Sequence, residues 1–148
     1  MNSINIDEFF TDAAKILTSL QRSFPTPIIL QVDDICGPED TDEFGMHSAR
    51  YLACFAAMMW LAEEGYLRFN ETIRSEAIDE AVLSARCFVL LTQPNKSIPA
   101  DQTQAMPDSI AMARSSLGSQ LQGHLKPVDS LKLNAIMLDL MQRMNARG

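Results

Sequence analysis

The chain has 148 residues, 47% of them hydrophobic, and a net charge of −7. That length and composition suit one folded domain with a real core and exclude disorder of the whole chain. An acidic balance also disfavours nucleic acid as a partner, because affinity for a phosphate polyanion rests on Lys and Arg neutralising its charge.

The charge is unevenly spread. Residues 1–80 hold 15 acids and 5 bases, whereas residues 81–148 hold 4 acids and 7 bases. The two halves can therefore attract each other or a second copy, while the acidic surface also maintains solubility. No apolar run reaches the roughly 18–20 residues that a membrane span needs, and MNSINIDEFF lacks the basic start and apolar core of a signal peptide. The expectation is a cytoplasmic protein with no membrane partner. Cys36, Cys54 and Cys87 lie far apart with no C-x-x-C pair, which predicts neither a disulfide framework nor a zinc site and fits a reducing compartment.

In chain order, Asn5 can cap a first helix with Glu8 reaching back, and Ile4 and Phe9 stand where a hydrophobic staple needs them. Phe9, Ala13, Ile16, Leu17 and Leu20 recur at helical spacing, so this helix is expected to bury one face and to end near Ser23, before Phe24-Pro25-Thr26-Pro27. Ile28–Val32 is short, β-branched and bounded by Pro27 and acids, which reads as a strand, with a short helical turn as the alternative. The carboxylate-rich stretch from Asp33 to Glu43 raises the question of a metal or an acid/base pair. Its spacing does not match a hard-cation loop, and Gly37-Pro38 stiffens it at the wrong place. The simpler account puts Thr41, Asp42 and Glu43 at the start of the next helix, where a threonine caps and acids favour the dipole.

That helix is expected from about Asp42 to Glu64. Tyr51, Leu52, Cys54, Phe55, Met58, Met59 and Leu61 fall on its core side. Arg50, Ala53, Ala56, Ala57, Trp60, Glu63 and Glu64 fall on the other. Bases are read by Arg, Lys, Asn and Gln forks, and apart from Arg50 this outer side has none. Arg50, Ala53, Ala57, Trp60 and Glu64 are instead the candidate interaction surface, with Trp60 as its anchor. Either the C-terminal helices or a partner would cover it, so Trp60 is expected to be largely buried. Gly65 suits a left-handed cap. Tyr66–Asn70 and Ala77–Val82 then read as strands of a hairpin with its tip at Asn70–Glu76, followed by another helix.

The segment L-A-E-E-G-Y-L-R at 61–68, followed by A-V-L-S-A-R-C-F-V-L-L at 81–91, resembles the winged-helix pattern in which a recognition helix ends, one strand begins and another leads into a helix. The resemblance implies a mainly α fold with a small β-hairpin, an α+β winged-helix-like body extended by two C-terminal helices. It also implies that the helix before the wing is the one presented to DNA. Cys87 stands where the family often has glycine and Ser84 where it often has threonine. The candidate wing offers Arg68, Asn70 and Arg74 against Glu71, Glu76, Asp79 and Glu80, whereas a wing that grips phosphates is normally basic.

Residues 1–92 are thus expected to form the body, 93–108 a polar, proline-punctuated linker, and 109–148 a helical extension that packs on the body or forms a dimer. Ile110, Leu117, Leu121 and Leu125 share a stripe interrupted by Gly118 and Gly123. Pro127 suits the first turn of a last helix, Val128 to Met144. Leu131, Leu133, Met137, Leu140, Met141 and Met144 form the candidate dimer face, since apolar residues cover more of this helix than one stripe, and Asn134 and Asp139 mark its expected exposed edge. The nine methionines read as core filling, with a hydrophobic ligand groove as the alternative.

Catalysis lacks support. His47 and His124 stand in no nucleophile arrangement, His47 reads as a surface or capping residue, and there is no glycine-rich phosphate loop. No catalytic, metal or cofactor residues are expected. The leading expectation is a non-enzymatic regulatory or adapter module acting through protein contacts, with a homodimer or another protein as partner. A DNA-binding regulator is second and an enzyme third.

Overall fold

A computed structural model describes residues 4–94 and 116–146. The described residues form six helices and a small antiparallel sheet of four strands, a mainly α, α+β fold. Most of the expected 93–108 linker, and Ile110 with it, lies outside the described residues.

The central element is α1, Ile4–Ser23. Ala13, Ala14, Ile16, Leu17 and Leu20 are completely buried, with Phe10, Asp12 and Thr18 nearly so. This is wider than the single face expected from periodicity, because α1 packs against α3, β4 and both C-terminal helices. Two small alanines let those neighbours approach closely. Asn5 lies inside the helix rather than capping it.

After the proline break, β1 (Ile28–Gln31) leads at once into the short α2 (Val32–Cys36), so Val32 starts a helix and does not extend the strand. The helix α3 spans Ala49–Glu63, seven residues later than Asp42. Ser48, not Thr41, caps it, accepting from the Tyr51 amide. Asp42 folds back on its own loop, with Oδ1 accepting from the Phe44 and Met46 amides at 2.9 Å each. Such local side-chain bonds compete with helix formation, which explains the late start.

Gly65 has φ +85 and takes the chain out of α3 into β2 (Leu67–Arg68). β2 and β3 (Thr72–Ile73) pair with β4 (Ala77–Leu83) in one continuous register. Between them the ladder is distorted at Glu80, whose φ is +52. Of the expected Tyr66–Asn70 strand only Leu67–Arg68 is strand, while β3 falls within the expected Asn70–Glu76 tip, which shrinks to a turn closed by Glu76 N–H donating to the Ile73 carbonyl. On its other side β4 pairs with β1, which makes β4 the central strand, and its Ile78 and Ala81 are fully buried.

Ser84 caps α4 (Ala85–Thr92) by accepting from the Cys87 amide. Beyond the undescribed stretch come α5 (Leu117–Gly123), capped by Ser116, and α6 (Ser130–Asn145), capped by Asp129. The last helix thus starts two residues later than Val128. Pro127 sits in the preceding turn, where Leu125 and Val128 bridge. Both helices pack on α1 and α4. Asn134, expected at an exposed edge, donates from Nδ2 to Asp7 on α1 at 2.7 Å. Arg86 of α4 donates to the carbonyls of Arg143 and Ala146 at the end of α6. Met58, Met137 and Met144 are core residues.

Candidate protein interface

The buried stripe of α3 is Tyr51, Cys54, Ala57, Met58 and Leu61. Ala57 therefore belongs to the core, not to the interaction surface, and Leu52 is the reverse, at 41% exposure. The error has one source: the helical wheel fixes relative angles, but the position of the core depends on α1 and α2, which the wheel does not contain. Leu52, Ala53, Ala56, Trp60, Glu63 and Glu64 form the exposed side. Trp60 is 39% exposed. Its ring meets Phe9 of α1 edge-on at 5.3 Å and lies 5.9 Å from Tyr66. It is therefore propped by the body of the molecule and left open on one side, contrary to the expected burial under the C-terminal helices.

Arg50 is engaged within the fold. Its Nη1 and Nη2 donate to the two carboxylate oxygens of Asp12 at 2.8 and 2.6 Å, and Nε lies 3.4 Å from Glu8. The bond to Asp12 raises the guanidinium pKa further above its usual value. Asp12 is nearly inaccessible, so the pair locks α3 to α1. The sequence held a signal for it: an acid at position 12 sits among the apolar positions of α1.

At the hairpin, Arg68, Asn70 and Arg74 are exposed, and so are Glu71 and Glu80. Arg74 and Ser75 both adopt left-handed backbone, φ +53 and +57. His47 is not a surface residue. Its ring stacks on Tyr51 at 3.9 Å, and its Nε2 lies 2.9 Å from Glu76 Oε2, which ties the start of α3 to the hairpin.

The candidate dimer helix divides in the same way. Leu133, Met137, Leu140 and Met144 are buried in the core of their own chain, and Met141 is half-buried. Leu131 is 86% exposed, and Leu138 and Val128 are also exposed. A narrow outer stripe of Leu131, Ala135 and Leu138 therefore remains, in place of the broader face expected.

The chemistry of the remaining groups is subdued. Burial pushes the Cys87 thiol up to about 12 and raises that of Cys54 further, so neither forms a thiolate readily. Burial also raises Cys36, partly offset by its interaction with the Cys54 sulfur. Among the described residues no group of three His, Cys, Asp or Glu side chains could hold a metal ion, and no helix is long and apolar enough to cross a membrane. No protein-family model, curated protein or solved structure matches the chain.

Proposed function

We propose that this chain is a non-enzymatic regulatory or adapter module that works through protein contacts, self-association included. The observation that carries this reading is apolar surface left uncovered on two helices: Leu52 and Trp60 on α3, and Leu131 and Leu138 on α6. Trp is among the residues that most often anchor a contact surface. The cation that α3 itself carries, Arg50, is bound to Asp12. A cytoplasmic location is part of the same reading, in keeping with three cysteines without a C-x-x-C pair.

Light scattering of the purified chain at micromolar concentration tests the self-association. The expected mass is twice 16.5 kDa, returning to the monomer in Leu131→Glu/Leu138→Glu. A monomer at every concentration removes self-association from the reading.

A second reading, a DNA-binding regulator of the winged-helix type, is favoured by the element order α1–β1–α2–α3–β2–β3–β4 with β4 between β1 and β2. The acidic residues around the hairpin oppose it. Fluorescence anisotropy with duplex DNA separates the two: binding tighter than about 1 μM at physiological salt, beyond ordinary non-specific affinity, would replace the first reading by the second.

A further inference from the structure

Between the C-terminal part of α1, the end of α4 and α5 lies an open cavity of about 410 Å³, within the range of roughly 300–1,000 Å³ usual for small-molecule sites. Among the described residues, those lining it are all polar and none is acidic, in a protein whose net charge is −7. α1 contributes Thr18, Gln21 and Arg22, α4 contributes Thr92, and α5 with its cap contributes Ser116, Ser119 and Gln122. Much of the wall is the carbon part of these side chains, so the hydrogen-bonding groups are set in a partly apolar surface.

Two features make this more than a dent between helices. Thr18 is only 5% exposed, and its hydroxyl has no hydrogen-bond partner; a buried hydroxyl left so carries a desolvation cost that the fold has not removed. Arg22 has no carboxylate partner among the described residues. It is oriented by an amide: with the Gln122 oxygen turned toward it, Nη2 and Nε donate at 2.8 and 3.0 Å. A guanidinium oriented in this way is a recognition group for carboxylate and phosphate. The position of the Gln21 amide in the wall depends on Gly118 of α5, since a Cβ there would fall 2.4 Å from the Gln21 Oε1. Only a residue without a side chain lets the Gln21 amide lie where it does.

We propose that this cavity binds a small hydroxylated anion, its carboxylate or phosphate group on Arg22 and its hydroxyls among Gln21, Thr92 and Ser119. This inference is independent of the protein-contact reading, because a monomer has the same cavity.

Amide correlation spectra of the full chain, titrated with glycerol 3-phosphate, glycerate, glycerol and sodium chloride, provide the test. Either anion should give saturable shifts in residues 18–23, 92 and 119–122 with half-saturation below about 1 mM; the stronger of the two identifies the head group. Glycerol and sodium chloride should not. Arg22→Gln should weaken binding by about tenfold or more, the loss of a charge-assisted contact, with unchanged melting of the free protein, while Arg22→Lys, which keeps the charge and loses the fork, should fall between the two. Gly118→Ala should displace the Gln21 amide and weaken binding without unfolding the chain. An absence of saturable shifts with both anions, or wild-type affinity in Arg22→Gln, overturns the proposal.

Discussion

The Asp12–Arg50 pair illustrates how one residue's burial sets the cost of losing its partner. The Asp12 side chain is 2% exposed and that of Arg50 is 36% exposed. Removing Asp12 leaves a cation that can rehydrate and still has Glu8 nearby, so Asp12→Ala is expected to destabilise by about 2 kcal/mol, discounted for solvent screening. Arg50→Ala strands a carboxylate inside the protein and should cost more, about 3–4 kcal/mol. Urea denaturation of the two variants tests this order, and equal losses would contradict it. The turn residues make a prediction of opposite sign. Left-handed backbone costs ordinary residues roughly 1–2 kcal/mol each and suits Asn and Gly. Replacing Arg74-Ser75 by Asn-Gly should therefore stabilise the fold by about 1 kcal/mol or more, read as a higher urea midpoint with an unchanged slope.

At the scale of an element, the start of α3 depends on a residue nine positions away. Glu39 accepts from both the amide and the hydroxyl of Ser48, at 2.8 and 2.5 Å, and the same hydroxyl caps the helix by accepting from Tyr51. These bonds hold the Glu39 carboxyl below its ordinary 4.5. A carboxyl whose folded pKa is depressed binds fewer protons in the native state than in the unfolded one. Its stabilisation is therefore fully present above about pH 4.5 and is lost as pH falls through the depressed value. Glu39→Gln should lower the urea midpoint at pH 7 and converge with the wild type in acid. A difference that persists unchanged to pH 2–3 would show that the carboxylate charge is not what fastens the cap.

For the whole molecule, the C-terminal helices complete the core instead of decorating a finished domain. Leu117, Leu121, Leu133, Met137 and Leu140 belong to the same buried cluster as Ile16, Leu17 and Leu20 of α1. A chain ending at residue 94 would open the C-terminal side of α1 to water, and we expect it to lose cooperative thermal unfolding. Leu140→Ala in the full chain should cost about 2–5 kcal/mol, as for other fully buried leucines. A sharp melt of the shortened chain near that of the full protein would instead establish residues 1–92 as an independent body.

The sequence alone determined the features set by neighbouring residues: the end of α1 before two prolines, the left-handed Gly65 after α3, the hairpin that follows it, and the helical character of the C-terminal region. Propensity, turn chemistry and periodicity act over a few positions, so they can be read without knowing the fold. Only the tertiary structure decided which side of each helix faces inward. Ala57 and Leu52 exchanged roles because α1 and α2 set the direction of the core, and most of the apolar excess of α6 was absorbed by its own chain because α1 was there to receive it. The same holds for Arg50, whose partner is 38 positions away, and for the cavity, whose walls come from three helices. Contacts between residues far apart in the chain leave no period in the sequence, so an unexpected acid at position 12 or a glycine at 118 was the only local trace of them.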